Sequence, residues 1–207
     1  MTDKRLSKIR NVVAHRQKGI TLILENIHDS HNVSAILRSA ESAGIDKLYL
    51  VYNTNKFPKI GRISSGSAKK WVELIRYKNI SECYEVLKKD GYSIYSTYLD
   101  KSPVNNKSLF DIDLTKNSAI VIGNEHEGVS EEAVKLADGN FIIPMYGMVE
   151  SLNVSVTAAV CLYEALRQRE LNGMYKNTGY TEQETVEKLE IYLGKRKKQL
   201  PSRKQIK

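Results

Sequence analysis

The chain has 207 residues, of which 41% are hydrophobic and 8% aromatic, enough for one domain with a sizeable core and short appendages. No apolar run approaches the roughly 18 residues of a membrane span, and the amino-terminal stretch lacks the apolar segment of a signal peptide. The two cysteines, Cys83 and Cys161, lie far apart in predicted helices. We therefore expect reduced thiols, no disulfide framework, no metal site and a cytoplasmic location.

The positive charge of the chain is concentrated at its two ends. The 32 Lys and Arg residues exceed the 24 Asp and Glu residues, for a net charge of +8. Residues 1–18 hold six basic residues and one acidic residue, and residues 195–207 hold seven basic residues and no acidic one. Such arms on a near-neutral body are typical of proteins that bind a phosphate backbone, because each neutralised phosphate releases counterions. The alternative interpretation is two solvated helical tails.

Strand and helix patterns alternate along the chain. The first is an amphipathic helix over 3–17, where apolar residues recur at helical spacing. A long loop at 53–68, rich in Gly, Ser, Lys and Arg, separates two strands and is expected to be functional or mobile. In chain order, strands are predicted at 21–26, 47–52, 71–77, 92–99, 118–123 and 141–144, and helices at 3–17, 32–43, 81–89, 130–137, 153–170 and 181–198.

The predicted strands are mostly continuous apolar runs. This pattern favours an α/β fold, in which a mostly parallel sheet is covered by helices on both faces. Residues 19–172 are expected to form this domain, flanked by a basic helical arm at 1–18 and a basic helical extension at 173–207. Ligands of such folds bind at the carboxyl ends of the strands. The sequence has no G-x-G-x-x-G or G-x-x-x-x-G-K motif, which counts against dinucleotide-binding and P-loop functions.

Three polar segments contain candidate functional residues, and the first of them is 26–45. Asn32 stands at the start of an amphipathic helix, where a helix cap is expected. Arg38 points away from the apolar face of that helix. The structural alternatives are a plain cap for Asn32 and an exposed salt bridge, of little value to stability, for Arg38.

The other two segments also place small or polar residues after buried strands. Within 119–133, Gly123 ends a strand and lets the backbone approach a ligand, while Glu125 follows in a loop without an evident local role. In the turn before the long apolar helix, Ser151 and Asn153 are candidate caps. A ligand held by this turn is the functional alternative.

Together the three segments resemble, in order, the three motifs of the SpoU/TrmH family of RNA ribose 2′-O-methyltransferases, which belongs to the SPOUT class. The resemblance rests on NVSAILRSA in the first segment, IGNEHEGVSEE in the second and IPMYGMVESLNVS in the third, and runs from about Leu22 to Leu166. It implies a C-terminal trefoil knot, S-adenosylmethionine as cofactor, and a homodimer in which helices 32–43 and 153–170 pack across the two-fold axis.

The resemblance also implies the residues of the active site. Arg38 of one subunit is implied to approach the cofactor of the other and to activate the ribose 2′-hydroxyl. Because arginine is effectively always protonated, we expect it to grip a phosphate or ribose and lower the pKa of that hydroxyl rather than act as a base. The implied catalytic set is Arg38, Asn32, Glu125, Ser151 and Asn153, and the implied cofactor-binding set is Thr97, Gly123, Ile143, Met148 and Leu152.

The short basic arms resemble those of the family members that methylate a guanosine in the D-loop of tRNA, expected to be guanosine 18. The loop containing Arg62, Ser65, Gly66 and Lys69 resembles the mobile loop near the cofactor in the family. One departure is His126, where relatives often have Lys. The alternatives are methylation of ribosomal RNA or of another tRNA nucleotide, and a non-catalytic RNA-binding protein on the same scaffold.

Overall fold

The structure is a computed structural model and describes residues 2–54, 56–58, 60–61, 65–98, 107–176 and 179–194. The predicted basic stretch at 195–207 and the loop residue Arg62 lie outside these residues. The described elements are, in order, α1 (Asp3–Ala14), β1 (Ile20–Glu25), α2 (Ser30–Ser42), β2 (Lys47–Val51), β3 (Glu73–Tyr77), α3 (Ile80–Lys89), β4 (Ser93–Thr97), β5 (Lys107–Ser108), β6 (Ser118–Ile122), α4 (Glu131–Leu136), β7 (Gly139–Ile142), α5 (Val154–Leu171) and α6 (Glu182–Tyr192).

Seven strands form one sheet in the order β3-β2-β1-β6-β4-β7-β5. Each pair of neighbouring strands in this described sheet is parallel, and β1 lies between β2 and β6, with Leu22 opposite both Leu48 of β2 and Ile120 of β6. All residues of β1 and β6 are buried, which explains why both strands are mostly apolar, with Thr21, Glu25 and Ser118 as their polar residues. The predicted parallel α/β fold is confirmed. The trefoil knot stays an expectation from the resemblance.

The sheet has a hydrophobic core on each face. On one face, α2 and α5 pack over Leu22, Leu24 and Ile120. On the other face, α3 and α4 cover Ile23 and Val121, the alternate residues of the same strands. Both cysteines are buried and unpaired, in α3 and α5.

The amino-terminal and carboxyl-terminal helices pack on each other. Ile9 and Val13 of α1 form a small cluster with Tyr192 of α6, and the Tyr192 ring meets Trp71 edge-on at 5.2 Å between centroids. The Tyr192 hydroxyl donates to the Trp71 carbonyl oxygen at 2.7 Å. The described parts of the two predicted arms are therefore joined to one another and to the residues just before β3. The division of the chain into an arm, a domain and an extension stays a prediction.

The observed elements differ from the predicted ones mainly at their ends. The prediction of a helix from Asn32 was late by two residues, because Asp29 is the cap: its side chain accepts from the backbone N–H of His31 at 2.8 Å. The two-residue strand β5 was not predicted, since two residues carry no periodicity. The prediction that Ser130 caps α4 is confirmed by its hydrogen bond from the N–H of Ala133.

Candidate active site

A cleft of about 920 Å³ lies at the carboxyl ends of β4, β6 and β7. Its volume falls in the range of ordinary small-molecule sites, roughly 300 to 1,000 Å³. One wall is the turn after β6, and the opposite wall is the segment that connects β7 to α5. Ligands of open α/β sheets bind at this end of the strands, so the cleft is the place where the fold predicts a ligand.

The Glu125 carboxylate sits against the amino-terminal end of α2. One oxygen accepts from the backbone N–H of His28 at 3.0 Å and the other from that of Asp29 at 3.3 Å. These N–H groups have no partner within the helix, and the helix dipole favours a negative charge there. Glu125, which had no evident local role in the sequence, thus holds the start of a helix that lies 93 residues earlier in the chain.

A line of side-chain hydrogen bonds connects the three sequence motifs. The Asn32 amide donates to the Glu125 carboxylate at 2.8 Å, and the Asn153 amide donates to the Asn32 oxygen at 3.3 Å. Asn153 also caps α5, because its side-chain oxygen accepts from the N–H of Ser155. Three of the five predicted catalytic residues therefore meet at the mouth of the cleft, each contributed by a different motif.

Two opposing effects act on the pKa of Glu125. Partial burial alone would raise the pKa of this carboxyl group, but hydrogen bonds from Asn32 and from the N–H of His28 lower it below the ordinary value. The carboxylate therefore stays charged at neutral pH. As a charged acceptor, it fixes the orientation of the Asn32 amide and leaves the Asn32 oxygen facing Asn153.

The turn after β6 depends on the absence of a side chain at Gly123. A Cβ at that position would lie 2.0 to 2.2 Å from backbone atoms of Gly128 and Val129. Asn124 closes the same turn, since its side-chain oxygen accepts from the N–H groups of His126 and Glu127 at 2.8 and 2.7 Å. Sequence reasoning passed over Asn124, although its place directly after Gly123 and four residues before Gly128 is a turn signal.

The wall between β7 and α5 offers free backbone groups to a ligand. No residue of the described part of the chain forms a hydrogen bond with segment 144–151. Ile143 and Leu152, which flank this segment, are half-buried and line the cleft together with Ser151. Free N–H and C=O groups beside apolar side chains suit a small ligand that has both apolar and polar parts.

The structure brings most of the predicted site residues together, with two exceptions. The Thr97 hydroxyl donates to the carbonyl of Val121 at 3.0 Å at the floor of the cleft. Met148, predicted to bind the cofactor, is 99% exposed, and its side chain does not line the cleft. Seven of the ten predicted site residues are among those that line it: Thr97, Gly123, Glu125, Ile143, Ser151, Leu152 and Asn153.

Arg38 is the second exception. It lies on the exposed side of α2 and outside the cleft of its own chain. Its side chain runs along the turn at Gly66, where a Cβ would be 3.4 Å from the Arg38 Nε. Gly66 has a φ of +52°, so this close approach suits a residue without a side chain. Within the described residues, the Arg38 guanidinium forms no ion pair.

Comparison with known proteins agrees with this fold and this site. The model of the SpoU rRNA Methylase family matches residues 19–163. A tRNA (guanosine(18)-2′-O)-methyltransferase of Aquifex aeolicus is 40% identical over 88% of this chain and 85% of the relative, and its namesake from Thermus thermophilus is 43% identical over 84% and 88%.

Solved structures give the same result. The A. aeolicus TrmH/SpoU tRNA modifying enzyme superposes with a TM-score of 0.85 at 37% identity, over 93% of this chain and 96% of the other. The SpoU methyltransferase AviRb from Streptomyces viridochromogenes, in complex with the cofactor AdoMet, gives a TM-score of 0.67 at 25% identity, over 75% and 62%. Fold and cleft thus define an α/β protein with a ligand site at the carboxyl ends of the strands. The chain belongs to the SpoU rRNA methylase family.

The described residues lack two kinds of feature. No helix among them is long and apolar enough to span a membrane. In the same part of the chain, no three His, Cys, Asp or Glu side chains are grouped as metal ligands would be.

Proposed function

We propose that this protein is an S-adenosylmethionine-dependent methyltransferase that acts on the ribose 2′-hydroxyl of guanosine 18 in the D-loop of tRNA. The relatives named for this reaction match most of the chain at about 40% identity. The observation that carries the proposal is the hydrogen-bonded line from Glu125 through Asn32 to Asn153, which joins the three motifs at the mouth of one cleft.

The residues of the cleft fit the cofactor. Bound there, S-adenosylmethionine supplies an electrophilic methyl group for attack by a hydroxyl oxygen. The free backbone groups of segment 144–151 can pair with an adenine, and Ile143 and Leu152 provide apolar contact beside it. Because Gly123 has no side chain, the turn after β6 can pack tightly against the backbone of Gly128 at the wall of the cleft. No side chain needs to supply a nucleophile of its own.

The line of polar residues positions the substrate. Glu125 holds the amino-terminal end of α2 and the amide of Asn32 in fixed orientations. Asn153 ties that amide to the start of α5, and Ser151 presents a hydroxyl at the same rim of the cleft. Such preorganised dipoles align the attacking oxygen without reorganisation during the reaction, which is the main contribution that a protein makes to a displacement of this kind.

Arg38 enters the reaction through a second copy of the chain. Val156 and Tyr163 are 45% and 52% exposed on α5, an apolar side of the helix that a partner subunit would cover. A homodimer formed through α2 and α5 places Arg38 of one subunit near the cleft of the other. There the guanidinium binds a phosphate or ribose oxygen of the substrate and favours loss of the hydroxyl proton. Replacing Arg38 by Ala then lowers single-turnover transfer by about 10²- to 10³-fold.

The exposed basic residues of α1 extend the RNA-binding surface. Lys4, Arg5, Lys8 and Arg10 are exposed on this helix, which packs on α6 through its apolar side. A tRNA body held here leaves its D-loop free to reach the cleft. A tRNA substrate also implies a cytoplasmic location.

Ribosomal RNA is the alternative substrate, because a 23S rRNA (guanosine-2′-O-)-methyltransferase of Xanthomonas campestris pv. campestris is 33% identical over 76% of this chain, although it is matched over only 62% of its own length. The experiment that separates the two uses unmodified tRNA and ribosomal RNA transcripts with isotopically labelled cofactor, followed by nucleoside mapping. Label in 2′-O-methylguanosine at position 18 of tRNA is expected. Label confined to ribosomal RNA would show that ribosomal RNA, not tRNA, is the substrate. If calorimetry detected no binding of the cofactor, that result would support a non-catalytic RNA-binding protein.

A further inference from the structure

We propose that Phe57, Arg76 and Lys78 form a docking surface for the phosphate backbone of the RNA substrate beside the catalytic cleft. These three residues are named the Phe57 cluster below. This inference rests on the proposed function for the identity of the polyanion, and adds to it a binding surface that lies outside both the cleft and the helical arms.

Two cations are fixed over one aromatic ring in this cluster. The Arg76 guanidinium lies 5.6 Å and the Lys78 ammonium 4.8 Å from the centroid of the Phe57 ring. Both side chains are exposed, and neither pairs with any acidic residue that the structure describes. Glu73, in β3, and Glu82, in the first turn of α3, are the nearest described acidic residues along the chain, and neither forms an ion pair with them. The charges are therefore held in place and remain available to an anion.

The Phe57 cluster is connected to the catalytic residues. The Phe57 ring packs against Tyr52 at 5.4 Å between centroids, and the buried Tyr52 hydroxyl donates to the carbonyl of Ile27 at 3.0 Å. The next peptide N–H, that of His28, donates to the Glu125 carboxylate. A short path of packed groups thus joins the cluster to the loop that holds Glu125, so the two surfaces keep a fixed spacing.

The position of the Phe57 cluster in the sheet also favours one RNA strand that contacts both the cluster and the cleft. Lys78 follows β3, so the cluster lies at the carboxyl end of the sheet, as the cleft does. Strand β3 is two places from β1, whose following loop binds Glu125, and neighbouring strands are about 4.8 Å apart. The loops that follow β3 and β1 are therefore roughly 10 Å apart, and β6, the nearest strand of the cleft, is three places or roughly 14 Å from β3. An RNA strand that presents its ribose to the cleft passes within reach of these cations.

An alternative role for the two cations is protection of the sheet edge. Strand β3 is an edge strand, and exposed basic residues discourage pairing with another molecule. Edge protection and RNA binding make different predictions for salt dependence. Each phosphate that a cation neutralises adds about 0.7 to 0.9 to the slope of log affinity against log salt, whereas edge protection adds nothing to it.

The test uses the full chain and an unmodified tRNA transcript, with binding followed by fluorescence anisotropy across a salt titration. The double variant R76Q/K78Q is expected to bind several-fold more weakly and to lower the slope by roughly 1.5. The charge-retaining variant R76K/K78R should keep the wild-type slope. The matched control K47Q/K89Q removes two exposed lysines that form no ion pair within the described residues, near the amino ends of β2 and β4, and its slope is expected to be within experimental error of the wild type.

A wild-type slope for R76Q/K78Q would overturn the proposal of a docking surface. A change in the oligomeric state of this variant, measured by sedimentation, would assign these residues to a contact between copies of the chain instead. Affinity for S-adenosylmethionine should be unaffected in every variant. Failure of the proposed function has a different signature: wild-type protein would bind tRNA with a salt-dependent affinity that the Phe57 cluster controls, yet transfer no methyl group to it.

Discussion

The amide of Asn32 donates a hydrogen bond to the carboxylate of Glu125 at 2.8 Å, although 93 residues separate the two in the chain. The contact exists because β1 and β6 are neighbours in the sheet, so the loop after one strand meets the turn after the other. It joins the loop carboxylate of Glu125 and the amide of Asn32, in the first turn of α2, into one unit with a fixed orientation. The first predictions concern this unit.

Replacing Asn32 by Asp is expected to reduce methyl transfer in a pH-dependent way. The substitution sets two carboxylates within hydrogen-bonding distance, and their repulsion raises the pKa of one of them. As the pH falls from about 8 to about 5, one of the pair takes up a proton and restores a hydrogen bond of the Asn32 type. The ratio of variant to wild-type single-turnover rate should therefore rise at acid pH. For Asn32→Ala, which adds no carboxylate, the ratio should be flat, and a flat ratio for Asn32→Asp would contradict the contact.

Glu125 should contribute to stability only where it is charged. Hydrogen bonds hold the pKa of its carboxyl below the ordinary value of about 4.3 in the folded protein, so the unfolded chain binds its proton first as the pH falls. The contribution is complete above that value and is lost as the pH falls through the folded pKa. By urea denaturation, Glu125→Gln should cost about 1 kcal/mol at neutral pH, and the difference from wild type should shrink near pH 3. An equal difference at both pH values would show that the charge has no part in it.

Gly123 and Gly147 line the same cleft but should respond differently to substitution. A Cβ at Gly123 would overlap the backbone of Gly128, whereas nothing lies within 4 Å of a Cβ at Gly147. Gly123→Ala should cost about 3 kcal/mol or more in the free energy of unfolding, because backbone atoms cannot give way as side chains do. Gly147→Ala serves as the control and should unfold as the wild type does. Equal stabilities would mean that the turn after β6 is not closed in solution.

The positions of the strands and of the three motifs could be predicted from the sequence, because β1 and β6 are mostly apolar and the motif residues follow strand ends. The partners of the motif residues could not. Asn32 was the predicted cap of α2, and the side chain that caps the helix is Asp29. Which of them turns towards Glu125 depends on the neighbour of β1 in the sheet, which local patterns do not encode.

The role of Arg38 also lay beyond local patterns. A helical wheel indicates correctly that its side chain leaves the apolar face of α2, but not what it reaches. In a single chain it lies against Gly66 and outside the cleft, so its predicted role requires a second subunit. A pattern that is read along one chain does not show that a residue of one subunit acts in the site of another.

Subunit mixing tests this sharing. Arg38→Ala and Glu125→Gln should each be nearly inactive alone. If Arg38 serves the cleft of the partner subunit, a mixed dimer contains one site with both residues intact, and equal mixing restores up to about a quarter of wild-type activity. The control is each variant remixed with itself, which should stay inactive. No recovery in mixtures that are shown by mass spectrometry to contain mixed dimers would place Arg38 and Glu125 in the same subunit's site.

The most direct measurement for the whole account is methyl transfer to a tRNA transcript that carries 2′-deoxyguanosine at position 18, the nucleotide named for the relatives, and is otherwise unchanged. The wild-type protein is expected to label the all-ribose transcript from S-adenosylmethionine and to leave the deoxy transcript unlabelled while binding it with similar affinity. Equal labelling of the two transcripts would contradict an active site built around the 2′-hydroxyl of that nucleotide.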